Sequence, residues 1–168
     1  MPLSMYHASV PVFQRMLTAL SAILDKAAAH AEAQGIDPAE LIQARLAPDM
    51  IPLSGQVQIA SDSAKGAAAR LSGREIPKYP DDEASFEELK ARIAKTLDFI
   101  SSIETGEIDG GEDREVTLTL RSGSRQFTGQ RYLLHFALPN FYFHVTTAYD
   151  ILRSRGVPLG KPDFIGGL

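Results

Sequence analysis

The residue with the most chemistry to offer is His144, in the string Leu138-Pro139-Asn140-Phe141-Tyr142-Phe143-His144. At about 100° per residue with Phe141 at zero, Val145 falls at about 40°, Leu152 at about 20°, Ala148 at about 340° and His144 at about 300°. The imidazole therefore lies on the edge of a core-facing stripe. There it is either a hydrogen-bonded structural residue or a functional base whose pKa burial lowers. Asn140 precedes it by one turn, so the two side chains can share one space. Asn140 reads equally as an N-cap after Pro139.

A second helical stretch offers partners. With Leu53 at zero, Gln56 falls at about 300° and Ser63 at about 280°, beside the apolar stripe, whereas Gln58 falls at about 140° and Asp62 at about 180°. Gln56 and Ser63 are expected to lean inward, and Gln58 and Asp62 to meet solvent or a partner. Tyr149, at about 80° on the His144 helix, can turn its hydroxyl inward or rest at the rim. His144, Asn140, Gln56 and Tyr149 thus bound a candidate pocket for a small polar ligand. The chain has four histidines and no cysteine, so a metal must be held by imidazole and oxygen alone. His7, His30 and His135 have no partner at ligand spacing. Phosphate-cradling glycine loops, a nucleophile elbow and a Ser/His/Asp signature are missing.

The elements that would carry these residues are helical. Val10, Phe13, Leu17, Leu20, Leu24 and Ala27 step by three and four, predicting helix one over Val10 to His30. Asp37-Pro38-Ala39-Glu40 predicts a short capped helix to Arg45. Leu53, Val57, Ala60, Ala64, Ala67 and Leu71 predict helix two, stopped by Gly73 and alanine-rich for close approach to a neighbour. Ser85 and Glu88 form a capping box for helix three, along Phe86, Leu89, Ile93, Leu97 and Ile100. Between Glu107 and Thr128, Val116, Leu118 and Leu120 alternate with threonines and Arg121-Ser122-Gly123-Ser124 turns the chain, predicting a β-hairpin. Helix four restarts at Pro139-Asn140 and ends near Gly156, and the tail Leu159 to Leu168 is expected as ordered coil. Together these predict a mainly all-α chain, one domain over 1–168, built as a four-helix bundle with a small hairpin between helices three and four.

Composition narrows the classes. The net charge of −4 provides no basic face for nucleic acid, and no apolar run reaches membrane-spanning length. A soluble protein of the reducing cytoplasm is the expectation, since cysteine is absent and no signal-like N-terminus is seen.

Four strings carry a family resemblance: Arg45 to Met50, Gln56 to Asp62, Leu138 to His144, and Ala148-Tyr149 through Gly156 to Lys161. Over nearly the whole chain they resemble the family of bacterial and fungal proteins catalogued as domain of unknown function 1993, similar in turn to the DinB and YfiT bundles. That resemblance implies a four-helix bundle, commonly a homodimer, often with a divalent metal such as nickel or zinc on three histidines. His144, Arg153 and Gly156 match the pattern of its last helix. The pattern's other histidine on that helix falls on Asn140, and the one on helix two falls on Gln56 or Gln58. Amide oxygens are weak ligands for such metals beside imidazole, so the resemblance implies a vestigial site with no cofactor, where only His144 would serve if a metal bound. Three functions stay open: a non-metal bundle holding a small polar ligand, a thiol-cofactor transferase or isomerase using His144, and a homodimeric interaction protein meeting through Phe13, Tyr142 or Phe143.

Overall fold

The computed structural model describes residues 3–120 and 122–167. Arg121 of the expected hairpin turn and Leu168 of the tail lie outside them. The order is α1 (Val10–Gln34), α2 (Pro38–Ile42), α3 (Leu53–Ser72), α4 (Phe86–Ser101), α5 (Thr105–Ile108), β1 (Glu115–Leu120), β2 (Gly123–Thr128), α6 (Gly129–Tyr132), a π-helical turn (Leu133–Ala137), α7 (Leu138–Ser154) and α8 (Lys161–Ile165). The long helices α1, α3, α4 and α7 make the bundle, with α3 packed against both α4 and α7, and α1 against α4.

Each long helix buries the stripe its spacing foretold. Val10, Phe13, Leu17, Leu20 and Leu24 of α1 are fully buried, as are Leu53, Val57, Ala60, Ala64 and Ala67 of α3. The small side chains of α3 let α7 come close. Phe13 meets Phe141 edge to face, centroids 4.9 Å apart, an arrangement worth about 0.5–1.5 kcal/mol beyond its area. Phe13 belongs to the core and is lost as a candidate docking residue.

Capping chemistry sets the boundaries. Asp37 accepts from the Ala39 amide at 2.9 Å, and Ser85 and Glu88 satisfy each other's amides at 3.2 and 3.0 Å. Gly35 and Gly73 stop α1 and α3 in the left-handed region, at φ 65° and 79°. The hairpin pairs Val116 with Phe127 and Leu120 with Gly123, burying Val116 and Leu118 and leaving Thr117 and Thr119 outside.

The expected restart of helix four at Pro139 is corrected. The helix already begins at Gly129 and passes through the π turn into α7, so Asn140 stands in its interior and caps nothing. The wide turn makes this tolerable: the Leu138 amide bonds back five residues to Leu133, and the ladder resumes around a proline that has no N–H to place. The tail is also more regular than expected, folding as α8 against α1.

Candidate functional site

A row of polar pairs crosses the interface between α3 and the α6–π–α7 helix. Gln56 Oε1 lies 2.8 Å from His144 Nδ1, Asn140 Nδ2 donates to Ser63 Oγ at 2.8 Å, and Arg70 Nη1 donates to Tyr132 Oη at 3.2 Å. On α3 the three members stand seven residues apart, so successive ones drift by only about 20° and stay on one side. On the other helix the phase is restored by the π turn. Eight α-helical residues from Tyr132 to Asn140 would separate them by about 80°, whereas one residue absorbed in the wide turn reduces this to about 20°. The ladder therefore depends on the bulge.

The first rung fixes a proton. Gln56 is 1% exposed, and its amide nitrogen donates to the Ile51 carbonyl at 3.3 Å, which accepts only. Its oxygen must then face His144, so Nδ1 carries the hydrogen and Nε2 is left as an acceptor. Burial pushes the imidazole pKa below its ordinary value, which keeps the ring neutral. The Phe143 ring, 5.2 Å away and nearly perpendicular, shields one side of it.

Of the expected pocket residues, His144, Asn140 and Gln56 come together with Ser63. Tyr149 does not join them. It lies about 140° round the helix from His144 and sets its ring edge against Phe164 of α8, centroids 6.1 Å apart. Gln58 and Asp62 are corrected in part: Asp62 keeps 44% of its side chain in solvent, as expected, but both also face α4 and the loop before it. Asp62 Oδ1 receives Arg92 Nη2 at 2.8 Å and also pairs with Lys65, while Gln58 donates to Glu83 at 2.8 Å. Arg92 is 2% exposed and holds Asp81, Glu83 and the Pro80 carbonyl at 2.8–3.0 Å. Desolvation pushes Glu83 up, but hydrogen bonds from Arg92 and Gln58 outweigh it and hold the carboxyl below its usual range. A charged residue on helix three that spacing alone would assign to water thus ties down the acidic loop. The only hint in the chain is the cluster Asp81, Asp82, Glu83 waiting for a cation.

A hollow of about 150 Å³ opens beside the second and third rungs, lined by Ser63, Asn140, Arg70, Tyr132, Asp62 and Phe136 among others. Sequence reasoning missed Arg70 and Tyr132. The seven-residue step from Gln56 and Ser63 could have reached Arg70, but the π turn hid Tyr132.

An α3–α7 face carrying polar rungs at the height of one inward histidine, within four long helices, defines a DinB-like bundle. A solved structure of a DinB family member protein from Shewanella denitrificans matches it with a TM-score of 0.90 at 38% identity, over 97% of this chain and 92% of that one. Residues 5–165 match the domain of unknown function DUF1993, and the chain belongs to that family. No curated protein matches it.

The three positions where the resemblance implies histidines hold His144, Asn140 and Gln56, and the geometry selects Gln56 over Gln58, which points away. His144 Nδ1 and the Gln56 oxygen are committed to each other, so one imidazole nitrogen and the Asn140 carbonyl remain. Among the described residues no group of three or more His, Cys, Asp or Glu side chains is placed to hold a metal ion. Such a donor set does not fit a zinc or nickel ion, which takes three or four strong N, S or carboxylate ligands.

Proposed function

We propose that this chain is a metal-free DinB-like protein that binds a small polar ligand on the α3–α7 ladder, around His144, Asn140 and Gln56. The carrying observation is the Gln56–His144 pair. An amide in the place of a ligating imidazole is a weak metal ligand whose oxygen instead accepts from His144 Nδ1, and it leaves Nε2 neutral and ready to accept a hydrogen bond. Polar groups converging beside an apolar wall are the ordinary make-up of a small-molecule site. A cysteine-free chain fits work in a reducing cytoplasm. Metal analysis of untagged protein purified without chelator tests the reading: less than a tenth of an equivalent of zinc or nickel is expected, and stoichiometric metal lost in His144→Ala would sink it.

A second reading concerns association. Tyr142 and Phe143, 37% and 57% exposed, stand next to each other on the outer side of α7, and aromatic side chains left in water favour an interface. A homodimer meeting there supports rather than replaces ligand binding. Light scattering of Phe143→Ser should then give half the mass found for the unaltered chain; identical masses would remove the reading.

A further inference from the structure

Arg70 is the half-buried arginine without an anion. Among the described residues the other arginines are exposed or, as with Arg74 and Arg92, paired to carboxylates, and no Asp or Glu oxygen lies within 4.0 Å of Arg70. Its guanidinium lies folded over Tyr132, Cζ 5.8 Å from the ring centroid. A bare backbone makes room for it: a Cβ on Gly66 would stand 2.7 Å from Nη1. Tyr132 is 2% exposed, and its oxygen accepts from Arg70, yet its own hydrogen finds no acceptor among the described residues. Desolvation holds the phenol protonated despite the neighbouring charge.

Beyond the bond between them, the remaining guanidinium N–H groups and the Tyr132 hydroxyl hydrogen look into the same space with no protein acceptor among the described residues. Arg70 borders both the 150 Å³ hollow that reaches Asn140 and a second one of about 430 Å³ lined by Lys65, Lys78, Tyr79 and Asp62. Three cations there face a single carboxylate, and Asp62 is already engaged by Arg92 and Lys65. A planar guanidinium with N–H groups to spare matches an oxyanion through two parallel hydrogen bonds.

We propose that the Arg70–Tyr132 rung binds the oxyanion of a small ligand, a carboxylate or a phosphate, whose remaining polar part extends along the ladder to Asn140. The proposal rests on the ladder's being a ligand site and specifies the ligand's charge. Arg70 supplies the counter-charge, the Tyr132 hydroxyl donates to a second oxygen, and Gly66 leaves the space in which the guanidinium lies.

The test is an NMR titration of the full ¹⁵N-labelled chain with sodium acetate and with inorganic phosphate, against sodium chloride at matched ionic strength. One of the two oxyanions should shift the Arg70 Nε–Hε resonance saturably, with half-saturation at about 1–10 mM, and the arm that does so identifies the ligand class. Tyr132→Phe should weaken that binding about tenfold, and Arg70→Met, followed through the Asn140 side-chain amide, should abolish it. An Arg70 resonance that drifts linearly, no further than in chloride, overturns the proposal, as does unchanged binding in Tyr132→Phe or Arg70→Met. Neutral ligands that shift His144 and Asn140 while both oxyanions leave Arg70 unmoved would overturn it alone and spare the broader reading. Stoichiometric zinc or nickel at His144 would remove both.

Discussion

His144 shows how one hydrogen bond can decide what an imidazole is for. Its ring is half-buried, hydrogen-bonded through Nδ1 and neutral, so its folded pKa lies below the value of about 6.5 it regains on unfolding. The unfolded chain then binds the extra proton first. Its contribution to stability is complete above about pH 6.5 and is lost as the pH falls from there through the folded pKa. Melting temperatures between pH 7.5 and 5.5 should therefore fall more steeply for the unaltered chain than for His144→Asn, and parallel curves would contradict the assignment. Gln56 carries the matching consequence. Its removal in Gln56→Ala leaves the Nδ1 hydrogen and the Ile51 carbonyl without their partner in a part-buried place, at a cost of about 1 kcal/mol by urea unfolding.

At the scale of elements, two devices hold the bundle's polar parts in register. Arg92 of α4 pins the 80–83 loop and the outer side of α3 at once. Arg92→Met should cost about 2–3 kcal/mol, below the full penalty for a broken buried pair because Asp62 and Asp81 keep contact with water. Hydrogen exchange should show the amides of residues 81–84 losing protection while α7 keeps its own. The π turn is the other device. Deleting Leu134, which is 44% exposed, should convert that turn to plain α-helix with Tyr132 and Asn140 seven residues apart, so the two stay within about 20° of each other. The Arg70 side-chain and His144 ring resonances should both stay where they were, and an Arg70 resonance moved to a solvent-like position would contradict this account of the turn. Gly129, at the head of the same helix, is hemmed in as well, since a Cβ there would meet the Gly111 carbonyl at 2.3 Å.

For the whole molecule, α1, α3, α4 and α7 share one continuous core that also takes in Val116 and Leu118 of the hairpin and Val157 beyond α7. No helix among the described residues is long and apolar enough to cross a membrane. A single core should melt as one unit, so helical ellipticity and tyrosine absorbance are expected to give coincident transitions. Separate midpoints would mean that the hairpin or the Arg92 loop unfolds on its own.

Much of this was legible in the residues. Three- and four-residue apolar spacing is a local property, so the four long helices, the alternating hairpin, the Ser85–Glu88 capping box and the inward lean of His144, Gln56 and Ser63 could all be read directly. Long-range partnership could not. Asp62 and Gln58 lie opposite the apolar stripe of α3, and only the docking of α4 turns that side from water toward Arg92. Tyr149 went to α8 because the tail folds back, which no spacing within its own helix reveals. The path of the last helix, straight through Pro139 by way of a π turn, depends on a backbone hydrogen-bond shift that side-chain periodicity does not encode. Local sequence determined which residues form helices and which side each helix buries, because those preferences act within a turn or two. Which polar groups meet, and so what the site can hold, was decided by the tertiary structure, because hydrogen bonds between helices depend on their relative height and rotation.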